Sequence, residues 1–485
     1  MNSRVICYLL GKICLGAIVM FALPLIVAMW YQESCAWDFV LALFITAVLT
    51  FGFKMLAGKT TAKDGTTREW ICSVVFGGLL LAGLASLPYI LVGVLGPMDA
   101  YFESMSGLTT TGVTTITSIA ALPKSVLFFR NLTGWFGGIA SIVVFIAVLP
   151  QFKGSSVYLF NSKADGNGKV RVMPRLLDTA VSLLYIYLVL SILLVVALML
   201  SGMSVFEAIN YSCSTISTTG FAIHDSNMAY WENTTVLLMT GFFMLLAGGN
   251  FALYFHIQQA GFKVLWKDLE FKVYVIGIVI IATLIGSNIV CINGYHVITG
   301  FNDALFQTIS FASTTGYTVA YYNDWPTFSK LLMGLLLLIG GCSGSAASGL
   351  KIGRVIVLIK ILGLELRRIL HPQLLLNVAY NKSSLPLATI MNISRFFFVY
   401  IFMVVLFSFP LAAAGLPPEE AFFGSASCLS NNGPAFGLLG AVNSYAGLPM
   451  LTKFMLCIGM LLGRLEIFIV LSMFRKDFWR GTKHW

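Results

Sequence analysis

Apolar runs of about 20 residues recur along the whole chain, and this feature most limits what the chain can fold into. As a helix, each run is long enough to cross a bilayer core of roughly 30 Å. Lipid cannot satisfy exposed backbone groups, so spanning segments are helices or a closed barrel, and these runs lack the alternating period of barrel strands. Hydrophobic residues make up 58% of the 485 and charged residues only 10%, unlike a soluble domain. The sequence therefore predicts an all-α integral membrane protein.

The apolar runs, taken in order, predict ten transmembrane helices. They lie near residues 6–30, 38–57, 71–95, 126–150, 179–201, 235–258, 271–292, 328–362, 390–414 and 449–474. The first run is too long for the apolar core of a signal peptide and lacks a convincing cleavage site. It is therefore expected to be a retained span.

The charged residues predict the orientation. Lysine and arginine gather in alternate connections, at 54–68, 153–175, 263–272 and 367–395, and in the tail after residue 474. The positive-inside rule places these in the cytoplasm, together with both termini. The opposite connections carry acids, which would concentrate cations at an outer entrance; they include Glu33, Asp99, Glu103, Glu207, Asp303 and Glu420.

Several function classes have little support in the sequence. The formal net charge of +10 is dispersed over short loops, so nucleic-acid binding is not expected. The nine cysteines form no Cys-x-x-Cys pair, and the five histidines have no metal-site spacing. An intramembrane enzyme would need a nucleophile, an acid pair or a metal cluster at membrane depth, and none is apparent. We expect a protein that is not an enzyme and has no covalently bound cofactor.

One short motif occurs four times at intervals of about 100 residues. Its copies are Thr110-Thr111-Gly112-Val113, Thr218-Thr219-Gly220-Phe221, Thr314-Thr315-Gly316-Tyr317 and Asn431-Asn432-Gly433-Pro434. Thirteen residues before each glycine stands an acid followed by alanine; these acids are Asp99, Glu207, Asp303 and Glu420. Six residues before each glycine stands a serine: Ser106, Ser214, Ser310 or Ser427.

The spacing predicts a short helix that is capped by the acid and stops just before the glycine. Such a helix is too short to cross the bilayer, so the chain must return outward through a loop. Its C-terminal end would direct partial negative charge inward, and the glycine permits a positive φ at the bend. Irregular backbone at membrane depth must be buried or line a watery path. Neutral carbonyl and hydroxyl oxygens, with no acid in or next to the strands, suit a monovalent cation. Interfacial turns that aid helix packing are the alternative, and four copies sharing three positions argue against it.

These motifs resemble the Trk, Ktr and HKT superfamily of potassium transporters, and specifically its bacterial Trk-type membrane subunits. The resemblance covers essentially the whole chain. It implies two additional N-terminal spans in residues 1–70, then four helix/re-entrant pore loop/helix repeats around one pore. The repeats would occupy residues 71–175, 176–265, 266–385 and 386–485, and the second helix of the third repeat would be broken.

By the same resemblance, the four motifs form the ion selectivity filter, with all sixteen of their residues taking part. The narrowest ring would be Gly112, Gly220, Gly316 and Gly433. Potassium, the transported substrate, would lie against Thr111, Gly112, Thr219, Gly220, Thr315, Gly316, Asn432 and Gly433. The fourth strand departs from the other three, so some rubidium or sodium leakage is expected.

The eighth predicted span contains a run too rich in glycine and serine for a stable helix. The run is Gly340, Gly341, Cys342, Ser343, Gly344, Ser345, Ala346, Ala347, Ser348 and Gly349. From composition alone, a helix break and a tight helix-packing face are equally supported. The resemblance favours a break, since related proteins have a flexible intramembrane loop here that obstructs the cytoplasmic half of the pore.

Arg464 would lie about 15 Å inside the basic cytoplasmic end of the last span, where a charge needs a partner. The resemblance places it beside the intramembrane loop, as part of the gate. Glu466 is on a different helix face from Arg464, so Lys351 or Arg354 is its expected partner. The alternative for these two basic residues is that they snorkel to the cytoplasmic surface.

The leading hypothesis is potassium uptake across the bacterial cytoplasmic (inner) membrane through a gated, channel-like pore. The resemblance implies a homodimer in membrane lipid and a cytosolic regulatory subunit, through which alone a nucleotide would act. Basic connections at 163–175 and 367–382 are candidate contacts for that subunit, although their ordinary role is orientation. The alternatives are a sodium-permeable pore of the same fold and a secondary transporter of a small solute, which would show two inverted halves rather than four parallel copies.

Overall fold

The computed structural model describes residues 1–61, 64–148, 172–373, 378–381, 383–440 and 443–479. Its described part is predominantly helical. The first helices are α1 (Ser3–Trp30), α2 (Ala36–Ala57), α3 (Thr67–Leu91), α4 (Pro97–Leu108), α5 (Lys124–Val148), α6 (Val172–Leu200), α7 (Val205–Ile216), α8 (Thr234–Gly248), α9 (Phe251–Ala260) and α10 (Lys263–Lys267).

The chain continues with helices of similar character. They are α11 (Leu269–Asn293), α12 (Val297–Ala312), α13 (Thr327–Ile339), α14 (Ile352–Leu370), α15 (Leu387–Ala413), α16 (Pro418–Ser430), α17 (Met450–Arg464), α18 (Ile467–Ser472) and α19 (Lys476–Trp479). Between α14 and α15, strands β1 (Ala379–Tyr380) and β2 (Ser383–Ser384) pair antiparallel. The predicted helical class is confirmed, and this hairpin of two two-residue strands is an addition.

Seven of the described helices are long and apolar enough to cross a membrane: α1, α2, α3, α5, α6, α11 and α15. The bent pair of α8 and α9 makes an eighth if it counts as one span. This agrees with a multi-pass membrane protein. The count of ten crossings and the division into four repeats stay predictions.

Two of the predicted continuous spans are broken. In the run 235–258, α8 and α9 meet at an angle of 99°. The side chain of Asn250 accepts a hydrogen bond from the amide of Ala252 at 2.9 Å, which caps a new helix inside the apolar run. In the run 449–474, α17 ends at Arg464, and Glu466, at a φ of 66°, precedes α18. Average hydropathy cannot detect such breaks because few residues interrupt each run.

The eighth predicted span, 328–362, is also divided. Helix α13 ends at Ile339 and α14 begins at Ile352. Residues 340–351 between them form no helix, and we call them the intramembrane segment. Gly340, Gly344 and Gly349 have φ values of 73°, 78° and 83°, a backbone that only glycine adopts without strain.

The core has two main parts. A smaller cluster joins the α1/α2 hairpin to α3 and α5 through aromatic contacts of Phe129 with Phe21, Phe39 and Tyr89. The larger cluster extends from α3 to α18 and surrounds the four short helices α4, α7, α12 and α16. These four helices carry the predicted motifs at their C-terminal ends.

Candidate functional site

The four short helices begin at the sites that the acids indicated, with one exception. Asp99, Glu207 and Glu420 lie in the first turns of α4, α7 and α16, and Glu207 forms a capping box with Ser204. The prediction was wrong for the third helix. Helix α12 begins at Val297, which places Asp303 in the second turn, so this carboxylate does not cap the helix.

The segments that follow these helices share one backbone conformation, and we call them the ring strands. They are residues 110–113, 218–221, 314–317 and 431–434. Their glycines have φ values of 84°, 78°, 79° and 100°. The first residue of each strand is left-handed as well: Thr110, Thr218, Thr314 and Asn431 have φ values of 54°, 56°, 55° and 51°. Threonine rarely adopts this conformation, so packing around the strands must enforce it.

The ring strands meet each other around a closed ring. A methyl group added to Gly112 would collide with the carbonyl oxygen of Thr219. The corresponding collisions are of Gly220 with Thr315, Gly316 with Asn432, and Gly433 with Thr111. Each glycine is therefore required by the neighbouring carbonyl oxygen, and four such oxygens come close together on consecutive strands.

The repeated serines stand behind the ring. The hydroxyl of Ser106 donates a hydrogen bond to the carbonyl of Val113 at 2.6 Å, and that of Ser310 to Tyr317 at 2.7 Å. Ser427 donates to the carbonyl of Gly433 at 2.5 Å. These bonds fix carbonyl groups in the C-terminal half of three strands. Among the described residues, the buried hydroxyl of Ser214 has no hydrogen-bond partner, so the second repeat lacks this contact.

The middle threonines of strands 1 to 3 are held by a hydroxyl two residues earlier. The pairs are Thr109 with Thr111 at 2.7 Å, Ser217 with Thr219 at 2.7 Å, and Ser313 with Thr315 at 2.8 Å. The fourth strand is held differently, as its sequence indicated. Asn431 donates to the hydroxyl of Thr111 at 2.8 Å, and Asn432 donates to the carbonyl of Phe311 at 2.9 Å.

A cavity of about 260 Å³ opens on one side of the ring, with the four ring-strand glycines among its lining residues. His224, also in its lining, stacks on Tyr230 with ring centroids 3.6 Å apart. Burial lowers the pKa of His224 below its ordinary value, against the opposing effect of Glu207, so the imidazole of His224 is neutral at neutral pH.

The intramembrane segment lies against the other side of the ring. Thr218 donates a hydrogen bond to the carbonyl of Ala346 at 3.3 Å, and the amide of Ser348 donates to the hydroxyl of Thr314 at 3.1 Å. A smaller cavity of about 70 Å³ is lined by residues 344–349 and by Arg464. The structure thus brings the glycine- and serine-rich run next to the ring strands.

Arg464 is bound to this segment. Its guanidinium donates to the carbonyl of Ala346 at 3.0 Å and to the hydroxyls of Ser348 at 2.6 Å and Ser141 at 2.7 Å. The partners are neutral, so the positive charge is not cancelled by any of these contacts. It lies between the intramembrane segment and the C-terminal part of α5.

Glu466 forms an ion pair with Arg354, one of its two expected partners, and a carboxylate oxygen lies 2.6 Å from a guanidinium nitrogen. Arg354 is only 3% exposed and lies 3.8 Å from the ring centroid of Phe396, so it does not snorkel to the surface. The pair joins α14 to the break between α17 and α18.

Glu270, at the start of α11, escaped the sequence analysis. Its buried carboxylate accepts hydrogen bonds from the amides of Ser343 at 2.6 Å and Gly353 at 3.0 Å. It also accepts one from the hydroxyl of Tyr380 in β1 at 3.2 Å. The available signal was an acid at the edge of an apolar run.

Two further contacts connect the part of the chain that follows strand 4 to the first motif. Lys453 of α17 forms an ion pair with Asp99 of α4 at 2.5 Å. The amide of Tyr445 donates to the carbonyl of Thr114 at 2.8 Å. These contacts join α17 to α4, and Tyr445 to the residue that follows strand 1.

Helices apolar enough to span a membrane, together with four short helices that end at one ring of strands, define the class of membrane transport proteins. The chain belongs to the TrkH family of cation transport proteins, whose family profile matches residues 36–480. The recognition of the Trk group from the motifs is therefore confirmed.

Individual relatives cover nearly the full length. The chain is 34% identical to the Trk system potassium uptake protein TrkH of Vibrio parahaemolyticus, over 99% of this chain and 100% of that protein. It is 32% identical to the TrkH protein of Escherichia coli strain K12 over the same shares. The crystal structure of the potassium transporter TrkH from Vibrio parahaemolyticus superposes with a TM-score of 0.89 at 33% identity, and the match covers 99% of this chain and 100% of that one.

Proposed function

We propose that this chain mediates potassium uptake across the cytoplasmic membrane through a gated, channel-like pore. The observation that carries the proposal is the closed ring of carbonyl oxygens from Thr111, Thr219, Thr315 and Asn432 beside the four glycines. Neutral oxygens replace the water shell of a dehydrated monovalent cation without the carboxylate ring that divalent ions favour. The names of the relatives support potassium as that cation.

In this proposal the ring strands are the selectivity filter. Potassium binds at the middle pair of residues in each strand: Thr111 and Gly112, Thr219 and Gly220, Thr315 and Gly316, and Asn432 and Gly433. The asparagines of strand 4 use their amides to reach Thr111 and Phe311, which makes the ring asymmetric. An asymmetric ring is expected to favour potassium over sodium less strongly than a ring of four identical strands.

The gate in this proposal is residues 340–349 together with Arg464. The segment fills the space directly below Thr218 and Thr314, and the uncancelled charge of Arg464 opposes the passage of a cation there. Conduction therefore requires the segment to move away from the ring.

The wider arrangement is proposed from the same family membership. Ten crossings would form two N-terminal spans and four repeats, with both termini in the cytoplasm of a bacterial inner membrane. A homodimer would bind a cytosolic nucleotide-binding regulatory subunit, consistent with the name "Trk system" of the relatives. Of its candidate contacts, residues 163–171, 374–377 and Lys382 lie outside the described residues.

The test is uptake of rubidium-86 into proteoliposomes of the purified protein, with potassium, sodium and lithium as competitors. We expect potassium to compete best, and Gly316→Ser to weaken its advantage over sodium about tenfold, because the new side chain collides with the carbonyl of Asn432. Gly363→Ser is the matched control, since a side chain there meets open space.

Two results would contradict the proposal. If sodium competes as well as potassium in the wild type, a sodium-permeable pore of the same fold replaces it. If rubidium does not enter even after deletion of residues 344–347, which loosens the gate, the pore is wrong and a solute transporter becomes the better hypothesis.

A further inference from the structure

A buried ion pair lies directly behind the first two ring strands. The Arg130 guanidinium on α5 donates to the Glu103 carboxylate on α4 at 2.7 Å. The side chains are 2% and 0% exposed. The sequence had placed Glu103 among acids at the outer face, and this was wrong, because the carboxylate is enclosed by protein.

The arginine reaches from repeat 1 into repeat 2. A second guanidinium nitrogen donates to the carbonyl of Ala222 at 2.9 Å, two residues beyond Gly220. The guanidinium carbon also lies 3.7 Å from the ring centroid of Phe221. Arg130 therefore holds strand 2 by its backbone and by its side chain together.

The glutamate holds the end of strand 1. Its carboxylate accepts hydrogen bonds from the amide of Thr115 at 2.8 Å and from the hydroxyl of Thr114 at 3.0 Å. These residues follow Val113 immediately. One buried pair thus fixes the backbone just outside both strands, and a movement of either strand is transmitted to the other.

The other repeats lack this pair. The residue four positions after the helix acid is Glu103 in the first repeat and Tyr211, Gln307 and Gly424 in the others. Gln307 donates to the carbonyl of Tyr317 at 3.2 Å, a neutral contact within its own repeat. Among the described residues, an ion pair at this position links only strands 1 and 2.

We propose that Glu103 and Arg130 are positioning residues that set cation selectivity by fixing strands 1 and 2 relative to each other. The inference rests on the proposed function of the ring as a potassium filter. Selectivity in such a filter depends on where the carbonyl oxygens are held. A buried ion pair is a poor source of net stability, so geometric specificity is a better physical reason for one at this place.

The test compares rubidium-86 uptake, with potassium and sodium as competitors, in Arg130→Gln, Arg130→Lys and the double variant Glu103→Gln/Arg130→Gln. We expect Arg130→Gln to reduce the preference for potassium over sodium about tenfold. Arg130→Lys keeps the charge but cannot contact Glu103 and Ala222 with one planar group, so its preference should be intermediate. The double variant leaves no unpaired buried charge, and we expect it to fold while still losing preference.

Lys330→Gln is the control, because Lys330 donates to the carbonyl of Asn323 in the loop after strand 3, away from the pair. A purely structural role predicts less folded protein and equal losses of potassium and sodium transport. An unchanged preference in the folded double variant would therefore overturn the inference and leave the proposed function intact. A wild type with no preference for potassium would overturn the proposed function itself.

Discussion

At the scale of single residues, the ring depends on buried side chains that stand behind it and bind its carbonyl groups. Ser106 is such a residue, since its hydroxyl satisfies the carbonyl of Val113 in a fully buried position. Ser104, two residues earlier on the same helix, is equally buried, and its hydroxyl has no partner among the described residues. The two serines differ in one hydrogen bond.

We predict that Ser106→Ala destabilises the protein by about 1–3 kcal/mol, because a buried carbonyl loses its donor. The thermal unfolding midpoint of the purified protein should fall, and potassium should lose part of its advantage over sodium in rubidium uptake. Ser104→Ala is the control and should change neither quantity. Equal behaviour of the two variants would show that the Ser106 bond does not shape the ring.

At the scale of elements, the important feature is a span divided into two helices by the intramembrane segment. Glu270 on α11 binds the amides of Ser343 in that segment and Gly353 in the first turn of α14, and it also binds the hydroxyl of Tyr380 in the β1/β2 hairpin. One carboxylate thus connects the intramembrane segment to the β1/β2 hairpin. This gives a physical route by which a contact at the hairpin can loosen the segment.

We predict that Glu270→Gln increases rubidium leak through the protein in the absence of any partner. The amides of Ser343 and Gly353 bind one oxygen, which the glutamine keeps, but both bonds lose the negative charge that strengthens them. The new NH₂ group cannot accept the bond from the Tyr380 hydroxyl, so the segment is held less firmly. Flux in proteoliposomes should rise severalfold, while Glu365→Gln, on the exposed part of α14, should leave it unchanged. Unchanged flux in Glu270→Gln would separate this carboxylate from gating.

At the scale of the whole molecule, the α1/α2 hairpin packs against α3 and α5. Besides the aromatic contacts of Phe129, Glu33 in the connection between α1 and α2 holds the hairpin against α5. The carboxylate accepts hydrogen bonds from the amides of Lys124 at 2.7 Å and Ser125 at 3.1 Å, the first residues of α5. Glu33 thereby caps a helix more than ninety residues away in the chain.

We predict that Glu33→Gln lowers stability by about 1 kcal/mol without changing ion preference, because it removes a charged helix cap remote from the ring. The thermal midpoint should fall, and the competition of potassium with sodium in rubidium uptake should match the wild type. Glu232→Gln, which alters an exposed acid with no comparable contact, is the control. A change in preference would mean that the hairpin also acts on the ring.

The sequence by itself determined those features that depend on local or periodic patterns. Apolar runs marked the helices because lipid excludes unpaired backbone groups, and the recurring glycines marked four equivalent bends. In the eighth span, the glycine- and serine-rich run supported a helix break and a packing face equally, and only the family resemblance favoured the break that the structure shows. Most of the ring residues were identifiable in this way, since each copy repeats the same short spacing.

Only the tertiary structure decided the features that rest on partners far apart in the chain. Thr110 adopts a positive φ although threonine disfavours it, and Asn431 binds Thr111 across more than three hundred residues. Glu103 was predicted among the outer acids and Arg130 had no predicted role, whereas in the structure the two form a buried ion pair between α4 and α5. The reason is physical: a local pattern records what one segment prefers, while a buried polar group is defined by what the rest of the fold places against it.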